Sequence, residues 1–384
     1  MTANQVYLDY NATAPIRPPV IDRMAEVMAM VGNPSSVHGF GRKARRLIDQ
    51  ARQQVAALVS APPAAVVFTS GGTEANNQAL ARVNGPVLVS AIEHESVLRC
   101  TDDPELVPVD SDGKIDLQAL SSACDRRSPP PPAVISVMLA NNETGVIQPI
   151  RDVTKIAADR GIRLHVDVVQ AAGKIPIDFF ELGAYSLSLS AHKLGGPQGV
   201  GALIVRDGTE PAALLKGGAQ EHRFRAGTEN VAGIVGFGMA AELALNDQAF
   251  AERVALLRDQ MEAEILAMSP DTRIFGANTL RLPNTSCLTM PGVSHETQLI
   301  AFDLAGIAVS SGSACSSGKV GPSHVLAAMG VSDKEANTAI RVSFGWASSK
   351  MDVERLTKVY HDIFEHGRAR QKARGLAEPA AGYG

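Results

Sequence analysis

Residues 163–205 read RLHVDVVQAAGKIPIDFFELGAYSLSLSAHKLGGPQGVGALIV. Three runs in this stretch, Arg163–Gln170, Ser186–Ser190 and Gly201–Val205, are short and bounded by Gly, Pro or polar turns. That is how strands read, and β-branched residues are frequent among them. The same grammar recurs upstream in Val66–Ser70, Val87–Ile92 and Ala133–Ala140, with helix-like stretches such as Asp152–Arg160 between. Strand, helix, strand at this spacing predicts an α/β fold whose mostly parallel sheet is flanked by helices on both faces.

Beyond this region the pattern changes. Residues 250–270 predict one long amphipathic helix that carries the chain out of the large domain. Asn284–Met290, Ile307–Val309 and Ala339–Phe344 then read as strands, and Lys334–Thr338 as part of a helix, which together predict a smaller α+β domain. The expected division is a large domain over residues 13–250 and a small domain made of residues 1–12 and 251–384. Pro129–Pro132 reads as a surface linker, and the small, polar tail after Leu376 as a frayed end.

Composition narrows the classes. The chain has 384 residues, 45% of them hydrophobic, enough for a large core and more than one domain. Its formal net charge of −4 gives no electrostatic case for nucleic acid as a partner. No apolar run reaches the ~18 residues of a membrane span, and the first residues show neither a basic nor an apolar leader segment. The four cysteines, Cys100, Cys124, Cys287 and Cys315, form no C-x-x-C pair, so neither a zinc site nor a disulfide framework is expected. These readings point to the cytoplasm.

The chemistry begins at Lys193, in Ser190-Ala191-His192-Lys193-Leu194-Gly195-Gly196 at the end of a strand. A lysine in a tight, small-residue turn can reach a cofactor aldehyde, although a loop lysine taken alone is commonly a solvated charge. Asp167 lies 26 residues earlier, near the end of an apolar strand. A carboxylate there is costly without a cation. The protonated pyridine nitrogen of pyridoxal phosphate is such a cation, and an acid that keeps it protonated makes the ring an electron sink. Ser70-Gly71-Gly72-Thr73-Glu74 runs from a strand into a helix, where close backbone approach and free N–H groups suit a phosphate. Many strand-to-helix turns look alike, so this element counts only beside the other two.

Cys315 sits in Ser310-Ser311-Gly312-Ser313-Ala314-Cys315-Ser316-Ser317-Gly318, almost free of bulky side chains. An exposed thiol is reactive and usually avoided, which points to function. Cys287, in an apolar strand, reads as core. Arg341, in the strand Ala339–Phe344, offers a planar fork for a carboxylate or for a structural ion pair. His94, after a strand, could stack on a flat ring and move protons.

Together these blocks resemble the cysteine desulfurases of the NifS/IscS group, within the fold-type I pyridoxal-phosphate enzymes called class V aminotransferases. The resemblance runs from Tyr7-Leu8-Asp9-Tyr10-Asn11-Ala12-Thr13 to about residue 365. It includes Gly32–His38, Ala140–Gly145, Asp167–Gln170, Ala191–Lys193, Arg225–Asn230 and Ser310–Gly318. It implies that Lys193 carries the cofactor as a Schiff base, that Asp167 pairs the pyridine nitrogen and that Gln170 reaches the ring hydroxyl. Asn142 would lie near that hydroxyl and the substrate carboxylate, and His94 would stack on the ring as an acid/base. Gly72, Thr73, Ser190 and His192 would hold the phosphate, Thr228 the phosphate of the neighbouring subunit in a homodimer, and Arg341 the carboxylate of L-cysteine. Cys315 would take the sulfur as a persulfide, releasing L-alanine, and touch a nascent [2Fe-2S] cluster during delivery to a sulfur-acceptor protein such as an iron-sulfur scaffold.

The chain departs from that group in small ways. Ser316 stands where many relatives have Thr, and Trp346 where they tend to be polar or basic. The long C-terminal tail that housekeeping members use for docking is not seen. Two activities on the same fold compete, an aminotransferase and a selenocysteine lyase; Cys315 argues against the first and leaves the second open.

Overall fold

The computed structural model describes residues 5–81, 83–125, 131–208, 210–312 and 323–377. Its strands, in chain order, are β1 (Val6–Tyr7), β2 (Val66–Thr69), β3 (Val87–Ser90), β4 (Glu105–Val107), β5 (Val134–Ser136), β6 (Arg163–Asp167), β7 (Ser186–Ser190), β8 (Gly201–Val205), β9 (Thr285–Thr289), β10 (Ile307–Ala308), β11 (Ser310–Ser311) and β12 (Ala339–Ser343).

Seven of these form one sheet in the order β2-β8-β7-β6-β5-β3-β4. All its neighbours pair in parallel except β8, which runs antiparallel to both β2 and β7. The carboxyl ends of β2, β3, β5, β6 and β7 therefore share one edge, where open α/β sheets bind their ligands. Four expected strands end early there. β6 stops at Asp167 because the backbone turns, with the N–H groups of Ala171 and Ala172 both donating to the Val168 carbonyl. β4 was not expected; it is three residues at the sheet edge, with Glu105 and Leu106 away from the buried interior.

The alternation Ser-Leu-Ser-Leu-Ser in β7 shows what each face does. Leu187 and Leu189 enter the large core with Val66, Phe68, Leu164, Val166 and Ile204. That core is covered by α1 (Pro18–Met28), α2 (Gly39–Leu58) and the helix Val231–Asn246. Side chains one residue out of phase point the other way, as strand geometry requires. His165 of β6 is buried on this second face beside Ser186 and Ser188, and reaches Asn76 of α3 (Gly72–Leu80).

A second core holds Val6, Leu8, Val254, Met261, Leu288, Phe302, Ile340, Val342, Phe344 and Tyr360. It lies between the sheet β11-β12-β9 and the helices Phe250–Met268, His295–Leu304 and Lys350–Ala377. The expected strand at 307–309 is β10, and a second short strand, β11, follows it directly. β10 pairs in parallel with β1, and β11 joins β12 in the other sheet. Chain from before residue 10 is thereby fixed into the second core. Cys287 is fully buried, as its apolar surroundings predicted.

Candidate active site

The shared carboxyl edge encloses a cavity of about 170 Å³. Its wall collects, from five strand ends, nine of the residues singled out in the sequence: Gly72 and Thr73; His94; Asn142; Asp167 and Gln170; Ser190, His192 and Lys193. The sequence reading missed Asn76, Ser96 and Met138. Asn76 was within reach, because it lies one helical turn after Gly72 on the same face of α3.

Asp167 is 6% exposed and accepts from Asn76 Nδ2 at 2.7 Å and from its own turn, Val169 N–H, at 2.9 Å. Both donors are neutral. Among the described residues no ion pair reaches this carboxylate, although it lines a cavity. His165 lies behind it, with Nε2 3.0 Å from Asn76 Oδ1 and Nδ1 2.8 Å from Ser186 Oγ. Burial pushes its imidazole down to about 4, so the ring is neutral and brings no positive charge to this relay.

Lys193 Nζ donates to the backbone carbonyls of Asn11 at 2.5 Å and Ala12 at 2.7 Å. Next to it, burial and the Lys193 charge lower the His192 imidazole to about 4, and His192 Nδ1 lies 3.1 Å from Thr13 Oγ1. His94 caps α4 (Glu95–Leu98), where its Nδ1 accepts from Ser96 N–H at 3.1 Å. A fixed backbone donor on Nδ1 leaves the neutral ring's proton on Nε2. Burial lowers this imidazole too, with Asp167 pulling the other way.

Gly72 opens α3 against the turn after β6. A Cβ there would lie 2.9 Å from Val169 Cγ2 and 3.5 Å from Ser190 Cβ, so any larger residue would have to push the Val169 side chain aside. The first turn of α3 and Thr73 thus face the cavity.

Two predicted residues are placed differently. Arg341 does not line the cavity. It is 1% exposed, donating from Nη2 to Asp9 Oδ1 at 2.7 Å and from Nη1 to the Asn142 carbonyl at 3.1 Å. Thr228 is exposed and away from the cavity of its own chain. Cys315 lies outside the described residues, and with it the expected cluster contact. The described residues flanking that stretch, Gly312 and Ser323, both meet Glu143: Ser323 Oγ donates to Glu143 Oε2 at 2.5 Å, and a Cβ on Gly312 would strike the same oxygen. Burial raises the Glu143 carboxyl to about 7, partly offset by Ser323 and Arg341. Trp346, which stood out as a departure, packs internally. Its Nε1 donates to the Pro15 carbonyl at 2.9 Å and its ring lies under the Arg17 guanidinium.

Residues 6–356 match the family described as aminotransferase class-V. The chain belongs to that family. Among curated proteins it is 42% identical over 381 residues to a cysteine desulfurase of Cereibacter sphaeroides, covering 95% of this chain and 97% of the relative. It is 41% identical over 377 residues to the cysteine desulfurase IscS of Dictyoglomus turgidum, covering 94% and 95%. Among solved structures, the NifS-like protein of Rickettsia africae superposes with a TM-score of 0.87 at 34% identity, covering 94% of this chain and 99% of that one. The class-V aminotransferase family uses pyridoxal 5′-phosphate, and this cavity fits it. A buried carboxylate without a cationic partner, a glycine-opened helix start and a lysine at the neighbouring strand end are what its nitrogen, phosphate and aldehyde require.

Proposed function

We propose that this chain is a cysteine desulfurase that converts L-cysteine to L-alanine and carries the released sulfur as a persulfide on Cys315. The observation that carries the reading is the buried carboxylate of Asp167, to which no described cation pairs, sharing a cavity with Lys193. It occurs in a chain 41–42% identical to cysteine desulfurases over nearly its whole length.

When bound, pyridoxal 5′-phosphate supplies an electron sink for the substrate's α-carbon. Asp167 would hold its ring nitrogen, Gln170 its ring oxygen, and the α3 start with Gly72, Thr73, Ser190 and His192 its phosphate. Lys193 would hold its aldehyde carbon and move the α-proton at Nζ. His94 would lie against the ring with a proton on Nε2. Asn142 would orient the substrate carboxylate, and Arg341, buried against Asp9 and the Asn142 carbonyl, would reach it only by releasing one of them. The Cys315 thiolate would attack the cysteine sulfur. An S–S bond forms and the Cβ–S bond breaks; the electron pair left on the three-carbon fragment takes up a proton, giving alanine.

We also infer a homodimer. Thr228 is exposed, as a residue reaching a neighbour's phosphate must be, and Met28, Val31, Val37 and Phe40 leave large apolar side chains uncovered along one stretch. A cytoplasmic location and delivery to an acceptor protein such as an iron-sulfur scaffold complete the reading. The test is product identity: L-cysteine with excess thiol should yield alanine and sulfide in equal amounts. Pyruvate and ammonia in place of alanine, or amino-group transfer to a keto acid without sulfide, would refute it.

A further inference from the structure

Lys174 belongs to no motif discussed so far, yet its side chain is 6% exposed and lies directly behind the cavity wall. Its Nζ donates to Asn11 Oδ1 and to Gln170 Oε1, both at 2.9 Å. Both partners are neutral amides. Among the described residues no carboxylate pairs with this amine, and burial, with Lys193 and Arg341 nearby, holds it well below the usual lysine range. A buried lysine with no counter-ion is costly to keep, so what its donors fix matters.

They hold, from one side, two amides that other partners hold from the other. Asn11 Nδ2 donates to the Asn142 carbonyl at 3.2 Å and to Thr285 Oγ1 at 2.9 Å, so its Oδ1 must face Lys174. Gln170 Nε2 donates to the Asn11 backbone carbonyl at 2.9 Å, so its Oε1 must face Lys174 too. That Asn11 carbonyl also accepts from Lys193 Nζ. Take Lys174 away and Gln170 Oε1 loses its donor, leaving the amide held only through Nε2 on the Asn11 carbonyl. With Lys174 in place, Gln170 Oε1 is taken up, and the Nε2 hydrogen not given to Asn11 is what the amide has left for the cavity.

We propose that Lys174 is a positioning residue: by holding Oε1 it keeps the Gln170 amide with an N–H toward the cavity, so that the site favours the anionic form of the cofactor's ring oxygen. This deepens the function proposed above and rests on it.

The test is a pH titration of the bound cofactor's absorbance in holoenzymes of wild type, Lys174→Met, Gln170→Ala and the double variant. Losing a donor to an anionic oxygen weakens that form, so Lys174→Met should move the titration to higher pH by about one unit, a tenfold change in proton affinity. Gln170→Ala should move it the same way. Because Lys174 acts through Gln170, adding Lys174→Met to Gln170→Ala should change nothing more. An unmoved titration in Lys174→Met overturns the proposal, as does an equal shift in both backgrounds. Should Lys174→Met not fold, Lys174→Gln, with donors at shorter reach, takes its place in the cycle under the same two criteria. A wild-type protein that shows no bound-cofactor band at all refutes the function reading instead.

Discussion

Asp167→Asn isolates the electrostatic heart of the site. The substitution keeps size and shape but replaces a carboxylate that accepts on both oxygens, from Asn76 Nδ2 and Val169 N–H, with an amide that offers one acceptor and one donor. Val169 N–H cannot turn, so the new carbonyl oxygen stays with it and the new N–H₂ faces Asn76. Asn76 can flip to accept it. The flip sets its N–H₂ against His165 Nε2, and the neutral His165 ring can accept there by moving its proton to Nδ1, toward Ser186 Oγ. The relay adapts, so the variant should fold. What it cannot restore is a charge-assisted hydrogen bond to a protonated ring nitrogen, worth about 1.5–3 kcal/mol. At 1.36 kcal/mol per decade that is about 10–150-fold weaker cofactor retention. Turnover should fall by at least as much, because the ring loses the proton that makes it a sink. The assay is equilibrium dialysis of pyridoxal 5′-phosphate, with turnover measured at saturating cofactor. Affinity and turnover both within about twofold of wild type would remove Asp167 from the role.

Two further predictions rest on groups beyond the cavity. Arg52 and Glu221 form a buried bidentate pair, 2.8 and 2.6 Å, and Glu221 also accepts from Phe68 N–H. The pair pins a turn in which Glu221, His222 and Arg223 all have positive φ without being glycine. Arg52→Met leaves an unpaired buried carboxylate and should cost ~3–5 kcal/mol in thermal or urea unfolding, a loss that Arg52→Met/Glu221→Leu should recover only in part, because Phe68 N–H and the Val66 carbonyl then lose their partners; equal losses in both would contradict this. Glu143 has its carboxyl raised from the ordinary 4.5 to about 7, so the folded state binds more protons than the unfolded state between those values. Its contribution is complete below about pH 4.5 and is lost as pH rises through 7, by up to ~3 kcal/mol. Glu143→Gln should therefore be the more stable protein at pH 8, its advantage shrinking toward pH 5, and parallel stability–pH curves would contradict this.

The α/β architecture was legible because β6, β7 and β8 announce themselves by length, alternation and Gly or Pro boundaries. Asp167 was legible because a charge inside such a run is conspicuous. Lys174 was not, since nothing in Gly173-Lys174-Ile175 separates a buried lysine from an exposed one; its role comes from Asn11, distant in sequence. Arg341 read equally well as a carboxylate fork or an ion pair, and the pairing with Asp9 depends on chain distant by 332 residues. Strand ends were overextended at Ile92, Ala140 and Gln170 because cavity residues follow apolar strands without a change in composition, while the backbone has already turned.

The central claim is that sulfur from L-cysteine passes to Cys315. Its most direct test is mass spectrometry of the alkylated holoenzyme after a single turnover with one equivalent of L-cysteine and no reductant. The account predicts one added sulfur atom on the Cys315 peptide, matched by one alanine released per site, and neither in Cys315→Ser. Alanine and sulfide formed at the wild-type rate by Cys315→Ser, or sulfur carried on Cys100, Cys124 or Cys287 instead, would contradict it.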